Sequence, residues 1–163
     1  MMKKLLIPLI LVILLSGCVN IMVVEKGDTV SLHYTGTLSN GEVFDSSVGK
    51  SPLTFTAGAG QMIAGFDKAV IGMKVGEKKT FTLSPSEAYG EKNNELIQRM
   101  AKNDLITAIG QEPVLGMVLS ASNGMNGVIT NITADAVFID FNHELAGKAL
   151  TFAIEITNIV KKK

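Results

Sequence analysis

Val30-Ser31-Leu32-His33-Tyr34-Thr35-Gly36 decides how this chain is read. Val30, Leu32 and Tyr34 alternate with Ser31, His33 and Thr35, and a period of two places one set on the buried face of a strand and the other on its open face. Asn40-Gly41 follows as a hairpin turn signal ahead of Phe44. Residues 52–56 repeat the alternation through Leu53 and Phe55, and Gly58 and Gly60 end it. The period then changes. Met62, Ile63, Phe66, Ala69, Val70 and Met73 share one side of a 3.6-residue repeat, which predicts a short amphipathic helix over 62–73. Gly76-Glu77-Lys78 turns into a strand with Phe81 and Leu83 inward, and a last strand carries Leu150, Phe152, Ile154 and Ile156 on one face. Four strands and one helix make an α+β core.

Residues 91–141 interrupt this pattern and read as an insertion. The segment opens polar from Glu91 to Glu95 and continues with apolar runs at 117–119, 128–132 and 136–141. Asn123-Gly124, Asn126-Gly127 and Ala134-Asp135 punctuate the runs as turn-forming pairs, so a small β-rich module is expected.

The chain of 163 residues has room for one ordinary core, and its 47% apolar content is swollen by the first 17 positions. Lys3 and Lys4 precede an unbroken apolar run, Leu5 to Leu15, which meets Ser16, Gly17 and the only cysteine, Cys18. A bilayer crossing needs about 20 apolar residues, so this shorter run reads as an export signal over 1–17. Leu15-Ser16-Gly17-Cys18 resembles the lipobox of prokaryotic lipoproteins. That resemblance implies a diacylglyceryl group on the Cys18 sulfur, a tether over 18–27 and a place at the extracytoplasmic face of the cell membrane. Without Lys3 and Lys4 the chain has 13 basic against 15 acidic residues, a balance that does not attract nucleic acid. Lys161-Lys162-Lys163 is expected to be a solvated tail.

Several familiar motifs fail. Gly49-Lys50-Ser51 looks like the end of a phosphate-binding loop, but the first glycine of that loop would fall at Phe44. His33 and His143 stand far apart and belong to no metal-ligand spacing with cysteine or carboxylate, and no nucleophile elbow occurs. The sequon at Asn131 sits inside an expected strand.

What remains is Tyr34, Phe44-Asp45, Phe55, Met62-Ile63, Phe66, Ala88-Tyr89-Gly90 and Phe152. On the residues alone these aromatics suit an ordinary half-buried core as well as a pocket. Their order resembles the FKBP-type peptidyl-prolyl isomerases: Val30 to Gly36, then Phe44-Asp45-Ser46-Ser47, Gly65-Phe66, Gly72-Met73, Val75-Gly76-Glu77-Lys78, Ala88-Tyr89-Gly90 and Leu150-Thr151-Phe152. The insertion after Gly90, with its return through Asn142-His143-x-Leu145-Ala146-Gly147, is similar to the SlyD-like branch, where a chaperone module replaces the flap.

The resemblance implies an antiparallel sheet wrapped around one short helix, spanning 28–90 plus 142–160, with the small β-rich domain inserted in the flap at 91–141. It implies catalysis of prolyl bond rotation by Tyr34, Phe44, Asp45, Phe66, Tyr89 and Phe152, without a cofactor or a covalent intermediate. Phe55, Met62, Ile63, Phe141, His143 and Leu145 are expected to contact substrate. Leu96, Ile97, Met100, Met117 and Met125 are expected to form a chaperone surface for unfolded or proline-containing chains, or else the insertion's own core. SlyD-like relatives often carry a histidine- and cysteine-rich tail, whereas this sequence stops at Lys163, so no metal is expected, and the protein is expected to be a monomer. A second reading keeps the pocket but drops catalysis, leaving a lipoprotein module that docks one partner's proline-containing segment.

Overall fold

The computed structural model describes residues 22–121 and 124–163, so the apolar run and Cys18 lie outside the described residues. A first antiparallel sheet holds β1 (Thr29–Leu38), β2 (Val43–Ser46), β3 (Leu53–Thr56), β4 (Lys78–Leu83) and β9 (Leu150–Val160). Its order is β2-β1-β9-β4, with β3 also on β1, and α1 (Ala64–Val70) packs on it. A second sheet has the order β5-β8-β7-β6, from β5 (Ile97–Ala101), β6 (Val118–Ser120), β7 (Asn126–Ile132) and β8 (Ala136–Asp140), with α2 (Lys102–Ile109) beside it. The α+β expectation therefore holds, with five strands in the first sheet instead of four.

The long pair β1–β9 is the spine, running from Thr29 opposite Val160 to Leu38 opposite Leu150. The other edge of β1 is shared: Thr35 to Thr37 pair with β2, and Thr29 to Leu32 pair with β3. Because β2 and β3 take different halves of one edge, a cleft opens between them above the buried face. A bulge between Ser31 and Leu32 adds a residue to β9, so burial shifts from Ile156 to Ile159 and passes over Asn158. This is how the alternation changes phase without exposing an isoleucine.

The helix is shorter than its periodicity predicts. Asp67 accepts the Gly58 N–H at 2.6 Å and the Gly60 N–H at 3.1 Å, tying the glycine loop to the first turn. After Val70 the backbone bonds elsewhere: Gly72 N–H donates to Val24 O and Val24 N–H donates to Met73 O, each at 2.8 Å. Met62, Ile63 and Met73 therefore reach the same core from outside the helix, which is why the apolar repeat overran its ends.

The second sheet contains two elements absent from the sequence reading, β5 and α2. It also corrects a turn: Asn126-Gly127 begins β7. A Cβ on Gly127 would lie 2.7 Å from the Phe141 ring, so this glycine makes room for a side chain and does not reverse the chain.

The terminal lysines are also not a free tail. Asp28, with no exposed surface, accepts Lys161 Nζ at 2.8 Å, the Glu25 N–H at 2.8 Å and the Lys162 N–H at 3.0 Å. The Lys161 ammonium outweighs the cost of burial and, with the two amides, holds the Asp28 carboxyl down to about 2. A depressed carboxyl stabilises the fold above its unfolded value near 4 and ceases to do so as pH falls toward 2. We therefore expect Asp28→Asn to melt below wild type at neutral pH and the gap to close between about pH 4 and 2. A gap that stays constant to pH 2 would mean that the charge of Asp28 does not matter.

Candidate active site

The first sheet, its helix and the turns beside them converge on one cleft of about 280 Å³. β1 contributes Tyr34, β2 contributes Phe44 and Asp45, the segment before α1 contributes Met62 and Ile63, α1 contributes Phe66, and β9 contributes Phe152. Tyr89 arrives from a 3₁₀ turn, Pro85–Glu87, held by a reciprocal cap in which Ser84 and Glu87 bond each other's backbone. All six residues expected to be catalytic line this one cleft, as do Met62 and Ile63.

Phe66 is 1% exposed and forms the floor. Its ring meets Phe152 edge to face at 5.1 Å, Tyr34 at 6.3 Å, Phe55 at 6.0 Å and Phe81 at 5.8 Å. Phe44 leans on Phe152 at 5.7 Å and 89°. Phe44 can lie flat over β1 because residue 36 is glycine, where a Cβ would come 2.4 Å from the ring.

The polar edge has one fixed pair. Tyr34 Oη donates to Asp45 Oδ2 at 2.5 Å, and the Ser46 N–H donates to Asp45 Oδ1 at 2.8 Å, so both carboxylate oxygens are engaged. Burial, followed by the bond to Asp45 and its charge, pushes the Tyr34 hydroxyl up to about 12. Tyr34 therefore remains a donor at any ordinary pH, and the pair orients groups instead of passing protons.

Three expected substrate contacts lie elsewhere. Phe55 is buried beneath Phe66. Phe141 packs with the second sheet's core, because its position just past β8 turns it toward Gly127. Leu145 is buried in the first core. His143 is exposed and stacks face to face on Tyr89, with ring centroids 4.0 Å apart and planes within 6°. The sequence reading missed Leu53 and Gln61 in the cleft wall. Leu53 had a signal, since it alternates with Phe55; Gln61, a polar loop residue bonded to the Thr56 N–H, had none.

A second apolar groove, about 410 Å³, opens on the inserted sheet between Met100, Leu105, Ile109, Val118, Leu119 and Phe141. Of the residues expected at a client surface, Met100 lines it, Met117 packs half-buried on the core beneath, and Leu96 and Ile97 are half-buried where the chain enters the second sheet. Met125 is 40% exposed and lies outside the groove lining.

Residues 22–112 match the family described as FKBP-type peptidyl-prolyl cis-trans isomerase. This chain belongs to that family. Residues 108–145 match a second family, the IF domain of FKBP26, which falls on the inserted sheet. The isomerase is 38% identical to the short-type peptidyl-prolyl cis-trans isomerase of Methanocaldococcus jannaschii, over 85% of this chain and 96% of that protein. It is 37% identical to a probable FKBP-type 16 kDa isomerase of Pseudomonas fluorescens, over 83% and 91%. With the SlyD isomerase of Vibrio cholerae it shares 35% identity, over 85% of this chain and 69% of the relative. The reading as a non-catalytic docking module gives way to that of an isomerase.

Proposed function

We propose that this isomerase is a lipid-anchored folding helper for proteins outside the cytoplasmic membrane, which grips unfolded chains on its inserted sheet and rotates their prolyl bonds in the aromatic cleft. The observation that carries this reading is the presence of two apolar openings in one chain, one small with a fixed polar edge and one broad with methionine at its rim. A small rigid opening suits one side chain, whereas a flexible, polarizable rim suits many sequences.

Rotation about a prolyl amide is slow because about 18–20 kcal/mol of resonance is lost at the twisted midpoint. A twisted amide has less charge separation than a planar one and loses less on leaving water. An apolar cleft therefore favours the midpoint over the ground state. Phe66 supports the proline ring from below, with Tyr34, Phe44, Ile63 and Phe152 as walls. Asp45, held by Tyr34 and Ser46, and the Tyr89 hydroxyl orient the substrate backbone.

The anchor rests on the lipobox-like Leu15-Ser16-Gly17-Cys18. Two acyl chains on Cys18 suffice for stable attachment where one is marginal. Cys18→Ser is expected to abolish incorporation of labelled fatty acid and to free the protein from membranes or leave it unprocessed. Unchanged membrane retention would point to a spanning segment instead.

A further inference from the structure

We propose that His143 is a positioning residue for isomerisation: its ring, stacked on Tyr89, holds the Tyr89 hydroxyl at the mouth of the aromatic cleft. The proposal rests on the assignment of that cleft as the isomerase site.

Tyr89 differs from the other aromatics around the cleft. Tyr34, Phe44, Phe55, Phe66, Phe81 and Phe152 brace one another ring against ring, whereas Tyr89 is 40% exposed and its one ring partner among the described residues is His143. The turn before it fixes the backbone, with Ala88 N–H and Gly90 N–H both donating to Pro85 O at 3.0 and 2.8 Å. That leaves the side-chain torsions free. An exposed tyrosine so placed would sample several rotamers, and a group that acts by orientation loses its effect when it wanders.

His143 is itself held from the core. Its Nδ1 accepts the Leu145 N–H at 3.1 Å, and Leu145 is buried among the first sheet's residues. The Gly147 N–H donates to Gly90 O at 2.8 Å, so the return segment is bound beside the residue that follows Tyr89. Position thus passes from the core to Leu145, from Leu145 to the imidazole, and from the imidazole to the phenol. With Nδ1 accepting, the neutral ring carries its proton on Nε2.

The two duties of His143 can be separated by substitution in the full chain. His143→Phe keeps a flat ring against Tyr89 and loses the acceptor for Leu145, whereas His143→Asn keeps an acceptor and loses the ring. A stacked pair is worth a factor of roughly two to ten in rate when it acts only through orientation. On a proline tetrapeptide, His143→Asn should lower kcat/KM by that factor, and His143→Phe, which keeps the ring but not its tie to Leu145, should lose clearly less. In a Tyr89→Ala background, His143→Asn should have no further effect on kcat/KM.

The proposal is overturned if His143→Asn is as active as wild type, if His143→Phe loses as much as His143→Asn, or if the loss persists undiminished without Tyr89. A Tyr89→Ala variant with wild-type activity overturns it too, since there is then nothing to position. Wild-type protein no faster than the solvent rate would instead remove the isomerase reading beneath it.

Discussion

Replacing residues 91–140 with a short loop is expected to leave kcat/KM on proline tetrapeptides within about threefold of the intact chain, while catalysed refolding of a proline-limited protein slows about a hundredfold. A tetrapeptide occupies only the small cleft, none of whose lining residues lies in the deleted span. The chain leaves and re-enters at neighbouring points, since Lys92 meets Asp140 at 2.7 Å and the Asn93 N–H donates to Asn142 Oδ1 at 2.9 Å, so a few residues can close the gap without straining the first sheet. An unfolded protein is a different substrate. If the groove around Met100, Ile109 and Leu119 holds it as proposed, its prolines would reach the cleft as a tethered ligand at far higher local concentration, and linked sites gain about 10²–10⁴ in this way. Equal losses on both substrates would contradict the division of labour between the two openings.

Phe66→Ala is expected to cost about 3–5 kcal/mol of folding stability, seen as a lower urea midpoint at unchanged slope. The residue is 1% exposed, and its ring contacts those of Tyr34, Phe55, Phe81 and Phe152, which come from four different strands. Those strands are tied by ladder hydrogen bonds and cannot collapse into the void, so the cavity term adds to the lost burial. With about 5–15 kcal/mol of total stability, such a loss leaves a protein that folds only in the cold or with little margin. A loss below about 1 kcal/mol would show that neighbouring rings refill the space and that Phe66 is not the floor.

Much of the first sheet was legible because its strands bury one face each. Val30 and Leu32 on β1, and Leu150 to Ile156 on β9, follow a period of two with hardly an exception. The order of aromatic motifs then distinguished a cleft from an ordinary core, which periodicity alone could not do. The inserted sheet was less legible for a physical reason. β5 is an edge strand with four of its five residues exposed, and Leu105 is the only buried residue of α2, so neither element shows its period. Turn chemistry misled at Asn126-Gly127, where glycine serves packing against Phe141.

Long-range pairings were out of reach for local patterns. Nothing near Asp45 marks Tyr34 as its donor across the β1–β2 pair, and nothing near Lys161 points back to Asp28. The same holds for Tyr89 and His143, which are brought together only because the chain leaves and re-enters the first sheet at neighbouring points. At the base of the insertion Lys92 meets Asp140 at 2.7 Å. Burial opposes ionisation of Asp140, but Lys92 and Asn142 outweigh it and hold the carboxyl below its usual value. That tie joins the two connecting segments, and its partners stand 48 residues apart in the chain.

The proposed function requires that prolyl rotation occur in the cleft floored by Phe66 and edged by Asp45. The most direct measurement is a protease-coupled proline tetrapeptide assay on wild type and Asp45→Ala, with a melt showing that the variant is folded. Wild type should exceed the solvent rate clearly, and the variant should retain about a tenth of the wild-type kcat/KM, the loss typical of one orienting charged contact. A folded Asp45→Ala variant with full activity would contradict the claim and place the chemistry elsewhere on the molecule.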